Sequence, residues 1–312
     1  TLDNNGQAIN SGFSSSNTNT RALTLGATSW EVSGATWDIS TSTGMTLSAA
    51  SSTITATANL GLTFSGGGLT YGALTITGAT ANATTINQAN TFANLTMSNG
   101  NSAVTTFNLS ANQTVTGTFT SNGDGLATRP IIRSTVKGTP RTITAAAVTA
   151  QYLDLQDITG AGAASWNLAS ITGNSGNCGG NSGITFTTPA TSYWVPSAGT
   201  STGSMSAVTR WASASGGSAG TGRSPLCQDT ARFDASSIDA GSRTITQDKP
   251  RIGAVDWTGV TNTPAWTKST AASFFGSITM VSGMTNSSTQ MYTYEGRGSS
   301  TFTTGGLTWT NQ

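Results

Sequence analysis

Charge is the scarcest feature of this 312-residue chain: 8% of its residues are Asp, Glu, Lys or Arg, where soluble domains carry about a quarter. The few charges balance to a net +1, so no strong field exists to gather nucleic acid or an acidic membrane surface. Histidine is absent, which removes the usual general base and the commonest metal ligand. Two cysteines are too few for a four-ligand metal site, and their spacing is not that of a C-x-x-C redox pair. Only 7 prolines occur, against the proline-rich, highly charged make-up of disordered chains. No apolar run approaches the roughly 18 residues that a membrane helix needs, and apolar residues rarely recur at helical spacing. Thr1 is neither an initiator Met nor the start of a charged-then-apolar leader, so either a leader was removed or, the reading favoured by the repeats, the chain is a window of a longer polypeptide.

What is present is alternation. Leu23-Thr-Leu25, Met45-Thr-Leu47, Leu62-Thr-Phe64, Leu74-Thr-Ile76, Leu95-Thr-Met97 and Ile278-Thr-Met280 each put apolar residues on one side of a strand and Thr on the other. Between them lie turn-forming clusters such as Ser65-Gly66-Gly67-Gly68. Self-similarity points to a stacked architecture. Phe64-Ser-Gly-Gly-Gly-Leu69-Thr-Tyr71 returns as Phe302-Thr-Thr-Gly-Gly-Leu307-Thr-Trp309, and Arg141-Thr-Ile-Thr144 with Leu153-Asp154 returns 102 residues later as Arg243-Thr-Ile-Thr246 with Val255-Asp256. These patterns predict an all-β, parallel β-solenoid (β-helix) in two stacked segments joined by a Gly/Ser/Asn-rich junction. The expected divisions are an incomplete leading coil at 1–20, a first segment at 21–159, the junction at 160–206 and a second segment at 207–312 that continues past Trp309. At roughly 20 residues per coil the chain makes about 15 coils, spaced about 4.8 Å apart. Stacked Thr residues pack in ladders at that spacing, whereas stacked like charges repel.

Leu-Thr-Leu-Gly runs, Gln113-Thr-Val-Thr-Gly117, Asp154-Leu-Gln-Asp-Ile-Thr159, Asn181-Ser-Gly-Ile-Thr-Phe186 and Asp256-Trp-Thr-Gly-Val-Thr-Asn262 resemble the β-solenoid arrays of tail-fibre and other virion proteins of tailed phages. Similar arrays occur in giant surface proteins of bacteria. The resemblance implies an extracellular structural or adhesive fibre, located on a virion or a cell surface, and carries over no binding residues.

The residues offer little catalytic chemistry. Gly199-Thr-Ser201-Thr-Gly203 fits a nucleophile elbow in letters but lacks a histidine partner. Asp154 and Asp157, with Asp229, Asp234 and Asp239, are the acids from which a glycan lyase or hydrolase would be built. Their place beside turns reads instead as Asx-turns or partners for arginine, with Arg141–Asp154 and Arg243–Asp256 as repeated structural pairs. Cys178 and Cys227 either form a disulfide that clamps the two segments or remain buried thiols. Trp30 and Trp37, separated by a short turn, are the aromatics expected to face a ligand. The reading is therefore a non-enzymatic structural or adhesive protein without a cofactor or bound metal, a tail fibre ahead of an adhesin or filament subunit, with a glycan-active enzyme last. Its expected partners are further solenoid segments or copies of itself and a host-surface glycan or protein, with no nucleic acid and no membrane insertion.

Overall fold

The computed structural model describes residues 2–3, 9–56, 61–78, 82–99, 105–125, 127–163, 165–169, 175–287 and 290–307. Trp309 and Asn174 fall outside them. The chain is an all-β parallel solenoid of about 12 turns, not a barrel, and its one helical element among the described residues is the 3-10 turn Val208–Arg210. Two compact units divide it: Thr1–Ser175 with Gly180–Thr187, and Gly176–Gly179 with Thr188–Gln312. The boundary falls inside the expected junction, and that stretch is not a linker. Ile158–Ala161 pairs with the start of Arg141–Gln151, Thr191–Trp194 with Thr230–Arg232, and Gly203–Ser204 with Thr244–Gln247.

In the first unit the alternation seen in the sequence becomes columns that run from coil to coil. Trp30, Ile54, Leu74, Leu95, Phe119 and Val148 stand in register on the inner side of one sheet. Trp37, Phe64, Ile86 and Leu109 do the same on another. All of these but Val148 are buried. Each such side chain contributes roughly 1.5–3 kcal/mol, and neighbouring rings add contacts of their own, as in Trp37 over Phe64 at 5.9 Å. The early coils also form a three-stranded sheet, Leu2–Asp3, Arg21–Thr24 and Met45–Ser48; the leading strands Leu2–Asp3, Ile9–Asn10 and Phe13–Ser14 thus pair with the next coil. Later coils have long strands of 9 to 11 residues, Thr70–Gly78, Thr91–Asn99, Gln113–Asn122 and Arg141–Gln151. A bulge between Val115 and Thr118 bends one of them. At Gly72 a Cβ would lie 2.2 Å from the Ser52 carbonyl oxygen, so only glycine lets the adjacent chain approach there.

The coils are longer than the expected 20 residues. Ile54 pairs with Leu74, 20 positions on, but Phe119 pairs with Val148, 29 positions on. Longer strands and longer loops share the difference, and the chain makes fewer turns in consequence.

The second unit is built on three sheets. One runs from Thr191–Trp194 through Thr230–Arg232, Ala254–Asp256 and Ile278–Thr279 to Phe302–Thr303, all parallel. On its free side Tyr193–Trp194 is met by the antiparallel strand Trp211–Ala212. The second sheet holds Thr244–Gln247 and Ala265–Lys268, and the third holds Ala272–Phe274 and Tyr292–Tyr294. Trp194, Phe233 and Trp257 stack along the core, with centroids 5.8 Å and then 3.7 Å apart. The Arg-Thr-Ile-Thr echo is thus a recurring strand start, at Arg141–Gln151 in one unit and Thr244–Gln247 in the other.

Candidate functional site

Cys178 and Cys227 form a disulfide, with Cα atoms 5.0 Å apart across 49 residues of sequence. Both belong to the second unit, and the bond ties the segment around Cys178 to the loop that carries Cys227. Beside it Asp229, buried, accepts from the Leu226 N–H at 2.9 Å, the Ala190 N–H at 2.9 Å and the Arg223 Nε at 2.7 Å. The carboxylate thus ties its own loop, through Arg223 and Leu226, to the stretch that ends at Ala190. An open groove of about 300 Å³ adjoins the bond, lined in part by Gln228, Phe275 and Arg297.

The expected arginine pairs are replaced by others. Asp154 is held by Arg129, whose Nε donates at 2.8 Å while its Nη2 donates to the Leu153 carbonyl at 3.0 Å, and both side chains are buried. Asp256 pairs with Arg232, and Arg243 with Asp239 at 2.8 Å. Arg141 heads its strand, and its buried Nε has no hydrogen-bond partner. The two acids are partnered from the previous coil: Arg129 precedes Asp154 by 25 residues, and Arg232 precedes Asp256 by 24. Arg141 and Arg243, each 13 residues before the acid expected to pair with it, take no part in these two pairs. Burial opposes ionisation of Asp256, but hydrogen bonds from Thr258 and Arg232 hold its carboxyl below the usual range. The Ser201 hydroxyl, then Arg243, hold Asp239 well below that range.

Ser201 is buried and donates both its N–H and its hydroxyl to Asp239. Asp234 accepts from the Ser236 N–H at 2.9 Å, and Asp157 from the Gly138 N–H at 3.2 Å. Asp234 closes a local turn, whereas Asp154, Asp157 and Asp239 bond to residues 19 to 38 positions away.

Trp30 and Trp37 do not face a ligand. They sit in Ser29–Glu31 and Thr36–Asp38, point inward at 4% and 0% exposure, and meet edge to face at 5.4 Å. The strand parity of each tryptophan decides this, because its neighbours on both sides are the outward residues.

Lysines 249 and 268, unremarked in the sequence, are buried. The Lys249 Nζ donates to the Ser224 hydroxyl at 2.9 Å, and the Lys268 Nζ to the Met291 carbonyl at 2.7 Å while lying 3.2 Å from the Tyr292 ring centre. Burial pushes the Lys268 ammonium down to about 8.

The outer surface of the first unit carries the most regular chemistry. Thr55, Thr75, Thr96, Thr120 and Thr149 occupy one register position on five successive coils. Thr70, Thr91, Thr114 and Thr144 form a second column, nearer the starts of the long strands.

Among the described residues no helix is long and apolar enough to cross a membrane. Comparison with protein-family models, with curated proteins and with solved structures finds no match.

Proposed function

We propose that this chain is a non-enzymatic structural and adhesive segment of an extended extracellular fibre, of the kind that tailed phages carry as tail fibres or related virion components. The observation that carries the reading is the continuous coil-on-coil register: inward columns of large apolar side chains, outward columns of neutral hydroxyls, and two acids, Asp154 and Asp256, bound by arginines one coil away. Such a stack buries its backbone hydrogen bonds coil after coil and offers few flexible loops to proteases. The disulfide supports an oxidising, extracellular setting. The engagement of Ser201, Asp157, Asp229, Asp234 and Asp239 in turns and ion pairs supports a role without catalysis.

Electron microscopy of the native source, with an antibody against this chain, tests the proposal. Labelled fibres on tailed particles support it. Label on cell-anchored stalks or filaments without capsids overturns the virion assignment in favour of a bacterial surface adhesin or filament subunit, and release of reducing sugar from host glycan by the purified chain overturns the non-enzymatic one.

A further inference from the structure

We propose that the second unit binds a small monovalent anion of the halide class in a site built from Trp266, Lys268 and Asn286 around the ring of Tyr292. Strand pairing brings the four together. Trp266 and Lys268 share the inward side of Ala265–Lys268, and Trp266 pairs in register with Asn286 on Thr285–Asn286. Tyr292, at the start of Tyr292–Tyr294, touches all three. Its ring centre lies 3.2 Å from the Lys268 Nζ and 5.7 Å from the Trp266 ring, edge to face, and its hydroxyl donates to the Asn286 Oδ1 at 3.1 Å. The groups left over around this ring are donors. The Asn286 Nδ2 and the Trp266 Nε1 are buried and make no hydrogen bond. The Lys268 Nζ donates to the Met291 carbonyl, and among the described residues no carboxylate pairs with it.

Buried N–H groups are almost always paired, and here two unpaired ones adjoin a buried cation. Water suits them poorly. It would accept from them but bring O–H donors of its own, while the nearby Asn286 Oδ1 and Met291 carbonyl oxygens are already accepting. An anion asks only for donors, and its charge offsets that of the ammonium. The cost of burying Lys268, which weakens its hold on the proton, falls when a counter-ion sits beside it. Size and valence follow from the same residues. Trp266 is 0% and Lys268 7% exposed, so the ion that reaches both is small. One ammonium without an arginine fork suits a single charge rather than phosphate or sulfate. The rings of Trp266, Phe274 and Tyr292, packed edge to face or stacked, present positive edges that favour an anion over a cation. The inference holds whether or not the chain is part of a virion fibre.

The test is the chlorine NMR linewidth of sodium chloride solutions containing the purified full chain, with hydrogen exchange measured in chloride and in gluconate at equal sodium. Both are run at about pH 7, where Lys268 is charged. The expected result is excess linewidth that saturates with chloride and is displaced by bromide. A site half-filled at about 15 mM should slow exchange in Ala265–Lys268 and Tyr292–Tyr294 about tenfold between gluconate and about 0.15 M chloride. Lys268→Met should abolish both effects, whereas Lys137→Met, at an exposed lysine of the first unit, should leave both. Should Lys268→Met fail to fold, Trp266→Phe keeps a ring, removes the indole N–H and should raise the half-saturating chloride several-fold. Linewidth that does not saturate with the unmodified chain overturns the proposal, as does saturation that survives Lys268→Met or equal loss in Lys137→Met.

Discussion

Replacing Cys178 and Cys227 together by alanine opens a loop of 49 residues, and the consequence can be worked from chain entropy. A crosslink closing a loop of that length lowers the entropy of the unfolded chain enough to stabilise the fold by about 4 kcal/mol. The double variant should therefore raise the unfolding equilibrium constant of the second unit about a thousandfold. The effect should be greatest in that unit, to which both cysteines belong. Hydrogen exchange read by mass spectrometry resolves the two. Amides in Thr230–Arg232, Ala254–Asp256 and Ala265–Lys268 should exchange far faster in the variant, while those in Thr91–Asn99 and Gln113–Asn122 should keep their rates. The wild-type chain treated with a thiol reductant should behave as the variant does. Unchanged protection in the second-unit strands, or equal loss in both units, would refute the assignment of the bond to that unit's stability.

Three further outcomes follow from the geometry. Asp154→Ala leaves the Arg129 guanidinium buried without its carboxylate and should cost about 3–5 kcal/mol in urea denaturation of the first unit; a loss below about 1 kcal/mol, the range of surface pairs, would show that the pair is solvated. Trp257→Ala removes a buried ring stacked on Phe233 and should cost about 3–5 kcal/mol, whereas Trp257→Phe should retain much of it, as urea midpoints of both variants would show. Stability should rise from pH about 8 toward about 10, because the unfolded chain keeps the Lys268 proton that the fold has released. Above about 10 it should fall: burial raises Tyr71, Tyr292 and Tyr294, so the unfolded chain ionises first. It should also fall in acid, where the lowered carboxyls of Asp239 and Asp256 give up their ionised state only below the unfolded range. Urea midpoints across pH, with Lys268→Met flattening the rise, check all of this.

The fold class was legible because alternation is local. Leu95-Thr-Met97 states in three letters which side is inside, and the structure places Leu95 and Met97 in the core. The pairings were hidden because they depend on coil length. Asp154 finds Arg129 one 25-residue coil earlier, and no local pattern states that length when neighbouring coils range from 20 to 29 residues. Searching for Arg and Asp about 24 residues apart would have found both Arg129–Asp154 and Arg232–Asp256. Trp30 and Trp37 were misread from the turn between them, although the alternation of their own strands placed them inward. The disulfide was open in the sequence, since spacing along the chain does not fix Cα separation. The five-threonine column was equally out of reach, as its members are related by pairing and not by a constant interval.

The antiparallel strand Trp211–Ala212 gives the second unit a direction of growth. A parallel coil can be copied, inserted or lost only where the next coil presents the same polarity of N–H and C=O groups, and the reversed strand on Tyr193–Trp194 withdraws that template on one side. Duplications of coils during evolution should therefore accumulate toward Phe302–Thr303 and spare the start of the unit. Folding of the nascent chain meets the same asymmetry: the blocked edge is synthesised first, and each later coil has one surface on which to lay down.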